Sequence, residues 1–457
     1  MGADDEFRGG HAPLGRRDHR AGSQRMTQAV ILAGGKGTRL ASRLNGKPKP
    51  LIDVDGEPLL KRQIDSLILN GIDDVVILVN HAADQIQAFV DENQFSARIT
   101  LIDDGEPRGT AGATLACFDQ LQDRFIVIYG DTLFDVDIRH MIDVHDRSSA
   151  VATLLLHPND HPADSDLVEL DANKVITAFH SYPHPDGAYL HNLVNAALYV
   201  VNKAPLASWI DRFPVGDFAK DLFPAMVASG QKLAGYISFE YIKDIGTPTR
   251  LDKAERHLQT GVVARARRET PQKAVFVDRD GTLNALRDYV RKPDDLEVFT
   301  GAGQALKRLN DAEYRVVVVT NQPVLARGEC DWPGLNRIHA KLESELGRAG
   351  AYLDATYVCP HHPHSGYAGE VPELKIGCTC RKPGTAMIEQ AAAAMNLDLS
   401  ASWMIGDSTA DIAMANRANL RCILVETGEG GRDGKWPAEP TAIAQDIVQA
   451  VNIILSH

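Results

Sequence analysis

Two aspartates one residue apart, Asp278 and Asp280, follow the apolar run Ala274–Val277 in the stretch AVFVDRDGTLN. Such a run reads as a short buried strand. Carboxylates at i and i+2 past its end can both face one site at the carboxyl edge of a sheet, where open α/β sheets place their chemistry. The plainer reading, a surface DG turn with incidental acids, is set by Asp280-Gly281 alone. A second pattern is aimed at phosphate. The apolar strand Ala29–Leu32 runs straight into Ala33-Gly34-Gly35-Lys36-Gly37-Thr38-Arg39-Leu40. Glycines let the backbone approach a phosphate closely, and free N–H groups with Lys36 and Arg39 supply positive potential. A third is metal-directed. Cys359-Pro360-His361 and Cys378-Thr379-Cys380 form C-x-H…C-x-C, four ligands suited to a closed tetrahedral Zn²⁺ site. His362 or His364 could take the place of His361, and a Cys378–Cys380 disulfide is disfavoured by its one-residue gap. Pro363–Gly377 is loop-like and cannot bury a core, and ligation can contribute about 10 kcal/mol to ordering so small a site. Cys117, Cys330 and Cys422 read as ordinary thiols.

These residues sit in longer motifs. DRDGTL at Asp278 resembles the first motif of the haloacid dehalogenase-like (HAD) phosphatases. The resemblance implies that Asp278 is the phosphoryl-accepting nucleophile and Asp280 the general acid/base. A carboxylate suits the first task because the acyl phosphate it forms is easily hydrolysed. Arg315–Val319 ending in Thr320-Asn321-Gln322 resembles the second motif, whose hydroxyl bonds the phosphoryl oxygens. Arg381-Lys382-Pro383 resembles the third, with Lys382 balancing the acids, and Asp411 is a candidate support for that lysine. Ile405-Gly406-Asp407-Ser408 resembles the fourth, in which Asp407 holds Mg²⁺ with Asp278 and the backbone carbonyl of Asp280. With the C-x-H…C-x-C loop, the segment is similar to the D-glycero-D-manno-heptose 1,7-bisphosphate phosphatases, with histidinol-phosphate phosphatases as near neighbours. Relatives often read TNQSGIARG where this chain has TNQPVLARG, a change expected to reshape the pocket near Arg327. The loop between His361 and Cys378 is also long.

The first half resembles the sugar-phosphate nucleotidyltransferases. LAGGKGTRL is followed by Lys47-Pro48-Lys49-Pro50-Leu51, then by the GTAG-type base loop from Gly109, by Gly130-Asp131, and by Asp244-Ile245-Gly246-Thr247-Pro248. The resemblance implies that Asp131 and Asp244 hold the Mg²⁺ bridging the nucleotide phosphates, a duty one or two carboxylates suit. It implies that Lys49 neutralises substrate phosphate, that Asn195 in NAALYV lies beside the sugar, and that Lys220 in FAKDLFP lies near the sugar phosphate. Within this family the guanylyltransferase that makes GDP-D-glycero-α-D-manno-heptose fits best. The joint expectation is a bifunctional enzyme of that pathway, taking NTP and sugar phosphates. Two alternatives stay open: a hexose-1-phosphate nucleotidyltransferase fused to another phosphatase, or one half retained as a dead binding module. The last expects lost acids, yet Asp131, Asp244, Asp278, Asp280 and Asp407 are all present.

The elements that must position these groups follow from pattern and length. A chain of 457 residues is too long for one ordinary core. Its 44% hydrophobic and 24% charged content are those of soluble globular protein. A net charge of −13 argues against nucleic-acid or anionic-membrane partners, which need basic surface. No apolar run approaches a membrane span. Strands Val75–Val79, Phe125–Tyr129 and Ala150–Leu156 alternate with helical patterns such as Leu59–Leu69, predicting a Rossmann-like α/β domain with a mixed sheet. The second half predicts a HAD-like Rossmannoid domain with a zinc-binding loop and no room for a helical lid. The expected organisation is residues 1–25 a disordered extension, 26–260 transferase, 261–272 a solvated basic linker, and 273–457 phosphatase. Localisation is expected to be cytoplasmic, and homo-oligomerisation is left open.

Overall fold

The computed structural model describes residues 27–457 apart from Lys36 and His81, so the expectations for residues 1–25 and for Lys36 lie outside the described residues. The first half carries β1 (Gln28–Leu32), the short hairpin β2 (Asp53–Val54) and β3 (Glu57–Pro58), then β4 (Asp74–Val79), β5 (Arg98–Asp103), β6 (Arg124–Tyr129) and β7 (Thr132–Asp135). β8 (Ala152–His157), β9 (Leu167–Leu170), β10 (Ile176–His180), β11 (Val194–Asn202), β12 (Leu233–Ile237) and β13 (Tyr241–Asp244) follow. The mixed nine-stranded sheet runs β10-β9-β11-β6-β1-β4-β5, with β8 and β12 joined beside β11. β1, β4, β5 and β6 are parallel, whereas β11 runs antiparallel to β6.

The alternation of apolar side chains explains the layering. Ala29, Ile31, Val75 and Ile77 enter the core on one face, while Val30, Val76, Leu78 and Val127 enter the core on the other. Period-2 alternation with both faces apolar is what a central parallel strand requires. The helix Leu59–Leu69 buries Leu59, Leu60, Ile64 and Leu67, one stripe at helical spacing, against the sheet.

The second half repeats the logic with β14 (Ala274–Val277), β15 (Arg315–Asn321), β16 (Ala355–Cys359), β17 (Trp403–Gly406), β18 (Arg421–Val425) and β19 (Ala442–Ala444). Its sheet is parallel throughout in the order β16-β15-β14-β17-β18-β19. That order reverses direction at β14, and ligands bind open α/β sheets at such a switch point. Asp278 leaves β14 there.

The stretch 261–272 differs from a solvated connector. Val262–Arg265 is a short helix, and Val263 and Ala266 are buried beside Leu251 and Ala254. Its arginines face acids on both halves: Arg265 donates to Glu313 at 2.7 and 2.9 Å, and Arg267 to Asp135 at 2.8 Å. Acids brought from distant sequence turn a basic run into a joint. Among the described residues no helix is long and apolar enough to cross a membrane.

Candidate functional site

Three carboxylates converge at the tip of β14. Oxygens of Asp278, Asp407 and Asp411 all lie within 4.8 Å of one another, and all three residues are buried. One cation meets them. Lys382 Nζ donates to Asp278 and, at 2.7 Å, to Asp411, with the lysine side chain 3% exposed. Asp411 is fixed by a reciprocal cap at the start of the helix Thr409–Arg417, where the Ser408 hydroxyl donates to it at 2.6 Å. The buried charge is unbalanced, three acids to one ammonium. Burial, and then the neighbouring carboxylates, push Asp278 and Asp407 above the ordinary carboxyl range. Burial also opposes the charge on Lys382, but Asp278 and Asp411 outweigh it and hold the ammonium on. A hard divalent cation with oxygen ligands would restore the balance, and this donor set fits one. Gly281 (φ +84°) and Gly428 (φ +57°) press on Asp407 from below, where any Cβ would collide with its carboxylate.

Asp280 points another way. It accepts from Arg279, from Asn284 at 3.0 Å and from Gln322 at 2.8 Å. Burial pushes its carboxyl up, but the Arg279 charge and these hydrogen bonds prevail and hold it below its ordinary value. Its carboxylate is therefore outside the cluster of three, leaving its backbone as the group available to a metal. Thr320 and Asn321 reach the same place: Gln322 donates to the Thr320 hydroxyl at 2.8 Å, and Asn321 Oδ1 accepts from the Lys382 backbone at 3.1 Å. Arg279 is fully buried and pairs with His339 Nε2 at 3.2 Å. Neither residue was singled out from sequence. A buried arginine between two motif acids was the available signal, and its histidine partner lies sixty positions away.

The sulfur cluster is equally compact. Cys359, His361, Cys378 and Cys380 present ligand atoms within 4.8 Å of one another. Cys380 Sγ lies 3.2 Å from Cys359 Sγ, from Cys378 Sγ and from His361 Nδ1, and no disulfide forms. Bonds of about 2.3 Å from one ion to each sulfur would span such separations. The Cys359 hydrogen bond pulls the Cys380 thiol down toward thiolate. His362 turns elsewhere, its Nδ1 3.3 Å from the His364 carbonyl. The loop that closes this cluster packs on the departure from TNQSGIARG. Val324 and Leu325 are buried in the core, so the change is absorbed there. Arg327 emerges between the rings of Tyr289 and Tyr367, its guanidinium 4.3 Å from each centroid. Its Nε has no partner. Arg381 donates to the His361 carbonyl at 3.1 Å, tying the motif lysine's neighbour to the sulfur loop.

In the first half a cavity of about 290 Å³ opens at the carboxyl ends of β1 and β6, lined by Gly34, Gly35, Lys49, Gly109, Thr110 and Asp131 among others. Gly109 (φ +70°) lies so close to a neighbouring turn that a Cβ would sit 2.5 Å from the Gly216 carbonyl oxygen. A Cβ on Gly130 would meet the Leu32 carbonyl oxygen at 2.7 Å, and this close approach sets Asp131 beside the loop after β1. Lys49 pairs with Asp131. β13 pairs with β7 so that Asp244 lies opposite Thr132, and Ile245 N donates to the Asp131 carbonyl at 2.9 Å. Asp244 accepts from Arg250 at 2.5 Å, a partner not anticipated. Gly37 (φ +63°) packs on Lys49, while Thr38 and Arg39 are exposed, with the Arg39 guanidinium near Gly246. Asn195 opens β11 at a register shift where Ala197 takes φ +57°. Lys220 is exposed on a π-helical turn, Phe218–Leu222. Arg39, Asn195, Lys220 and Asp244 thus do not line the cavity that gathers Gly34, Gly35, Lys49, Gly109 and Asp131.

Comparison with known proteins agrees with this division. A family model described as nucleotidyl transferase matches residues 28–261, and one described as HAD-hydrolase-like matches 379–450. A D-glycero-D-manno-heptose-1,7-bisphosphate 7-phosphatase of Thermosynechococcus vestitus is 39% identical over 194 residues, 41% of this chain and 97% of that protein. A D-glycero-beta-D-manno-heptose-1,7-bisphosphate 7-phosphatase of Bordetella bronchiseptica is 35% identical over 189 residues, 40% of this chain and 99% of that one. A crystal structure of HddC from Yersinia pseudotuberculosis aligns with 51% of this chain and 100% of its own, at 25% identity and a TM-score of 0.44.

The charge imbalance around Lys382 generates a test. Lys382→Ala should lower stability in urea unfolding by about 3–5 kcal/mol, because it strands buried carboxylates without their cation. The folded-state carboxyls would then bind protons more tightly than in the unfolded chain, so folding is favoured at low pH and loses that benefit as pH rises. The deficit should accordingly shrink in mild acid and grow at neutral pH. A deficit independent of pH would mean the lysine acts by packing alone.

Proposed function

We propose a division of labour for a chain that belongs to the nucleotidyl transferase family in its first half and to the HAD-like heptose-bisphosphate phosphatases in its second. The fusion makes it a bifunctional enzyme. The second half removes the C7 phosphate of D-glycero-D-manno-heptose 1,7-bisphosphate, and the first transfers a nucleotidyl group, GMP from GTP, to the heptose 1-phosphate that remains. The observation that carries the reading is the complete acidic cluster of Asp278, Asp407 and Asp411 around Lys382 in a chain that also holds the transferase loop. A phosphatase that took the anomeric phosphate would destroy the nucleophile its partner needs.

In the phosphatase, an Asp278 oxygen attacks the distal phosphorus in line, with Lys382 and the Thr320 hydroxyl meeting the phosphoryl oxygens. The leaving alkoxide takes a proton from Asp280, and the same carboxylate then accepts a proton from the water that hydrolyses the acyl phosphate. Arg279 holds Asp280 ionised before substrate enters. The incoming phosphate dianion raises its proton affinity and equips it as the acid. Asp278, Asp407 and the Asp280 backbone carbonyl would hold Mg²⁺, which would supply charge neutralisation and orientation. Arg327, from the segment after β15, and Arg381, beside the sulfur loop, hold the sugar end. In the transferase an anomeric phosphate oxygen attacks the α-phosphorus and pyrophosphate leaves. Backbone N–H groups of Gly34–Gly37, with Lys36, Arg39 and Lys49, meet the phosphates, and Gly109 lies against the base. Asp131 and Asp244, paired here with Lys49 and Arg250, would hold a second Mg²⁺ that would neutralise the nucleotide phosphates. Asn195 and Lys220 serve the sugar. Cys359, His361, Cys378 and Cys380 would hold a structural Zn²⁺ that orders the loop between them.

Phosphorus NMR of the phosphatase step should show the C7 resonance replaced by orthophosphate while the C1 resonance persists, and added GTP should then yield GDP-heptose and pyrophosphate. Loss of the C1 signal first would sink the proposal. The two centres should also fail separately. Asp278→Asn should abolish phosphate release and spare nucleotidyl transfer, with Asp131→Asn doing the reverse, each by more than a hundredfold. Metal analysis should find one Zn²⁺ per chain, lost or greatly weakened in Cys378→Ser. Zinc-free wild-type protein prepared without chelator would contradict the closed site.

A further inference from the structure

One helix of the phosphatase half, Trp332–Gly347, reaches into the transferase half. The contact is polar and specific. Glu343 accepts from the Asn192 backbone N–H at 2.8 Å with one oxygen and pairs with His191 Nδ1 at 3.0 Å with the other. Ser344 Oγ accepts from Leu190 N at 3.0 Å and donates to Leu190 O at 3.1 Å. Three consecutive residues of the transferase are thereby held by one turn of helix. Burial disfavours the charge on His191, but the Glu343 carboxylate outweighs it and raises the ring's proton affinity above its ordinary value.

That segment leads directly into β11 and Asn195. Asn192 is 3% exposed and clamps Asn159 from both sides, accepting from its N–H at 3.1 Å and donating to its carbonyl at 2.8 Å. From there the fixed backbone continues to Val194, which pairs with both β8 and β9, and Asn195 N donates to the Asp166 carbonyl at 3.1 Å. A second contact holds the neighbouring turn: Pro162 fills the space a Cβ on Gly347 would take, its Cγ only 2.7 Å away. Two residues on, Asp164 lies 3.5 Å from Arg250, the partner of Asp244. Glu343 is the described hydrogen-bond partner of both Asn192 N and His191, while Glu169 of the transferase half acts on His191 through charge alone.

We propose that Glu343 is a positioning residue for the transferase: its two hydrogen bonds across the domain boundary fix the approach to Asn195, so that the phosphatase half completes the sugar-phosphate side of the other active site. The inference rests on the reading that the first half takes a sugar 1-phosphate, with Asn195 beside the sugar. Nucleotide contacts, made by the loop after β1 and by Gly109 on the far side of β6, are independent of Glu343.

Steady-state kinetics of the full chain tests this. Glu343→Ala should raise KM for heptose 1-phosphate about tenfold, as expected for losing charge-assisted hydrogen bonds. KM for GTP and the phosphatase kcat/KM should stay unchanged. Glu343→Gln, which can still accept from Asn192 N, should recover part of the loss. An unchanged sugar KM, or equal rises for both substrates, would overturn the proposal. Hydrogen exchange separates this from failure of the functional reading. If the wild-type chain transfers to no sugar 1-phosphate, that reading fails. Faster exchange at residues 190–196 in Glu343→Ala, with the rest of the chain unaltered, still upholds the positioning role, and unaltered exchange there overturns it.

Discussion

A single ammonium group stands against three buried carboxylates at the switch point of the second sheet. Lys382 reaches two of them, and among the described residues it is the cation paired with Asp278 and Asp411. Taking ions out of water costs several kcal/mol each unless they are paired and hydrogen-bonded. The surrounding structure is arranged to meet that requirement. Ser408 caps Asp411, Asn321 holds the lysine's backbone, and glycines at 281 and 428 make room for Asp407. The excess of buried carboxylate over ammonium matches the donor set a divalent cation takes.

The first half solves the same problem differently. Its acids, Asp131 and Asp244, are not packed against each other in a dry cluster but each is held by a cation, Lys49 and Arg250. One centre therefore carries an excess of buried negative charge, while in the other each acid is matched by a cation.

Much of both sites was legible in the sequence because the signals are local. An apolar run that stops at an acid marks a strand tip, and Asp278, Asp407 and Asp131 each follow the end of such a strand, with Thr320 near the end of β15. The helix Leu59–Leu69 was readable from its apolar spacing. What was not legible depends on partners far apart in the chain. The basic stretch 261–272 looked solvated until Glu313 and Asp135 were brought to it. The local pattern of the TNQPVLARG departure does not mark the burial of Val324 and Leu325. Arg279 with His339, Arg250 with Asp244, and Glu343 with His191 are pairings no local pattern announces.

The helix Trp332–Gly347 carries His339 toward the phosphatase acid and, one turn on, Glu343 toward the transferase. That meeting surface is made of glutamate, serine, asparagine and histidine, while elsewhere Phe239 of the transferase half packs on the phosphatase core, so the boundary joins polar and apolar contacts. Once joined, this helix became answerable to two selective pressures at once. A substitution on it that suits one reaction is tolerated only if the other survives, and drift in this segment should run slower than in a free-standing phosphatase.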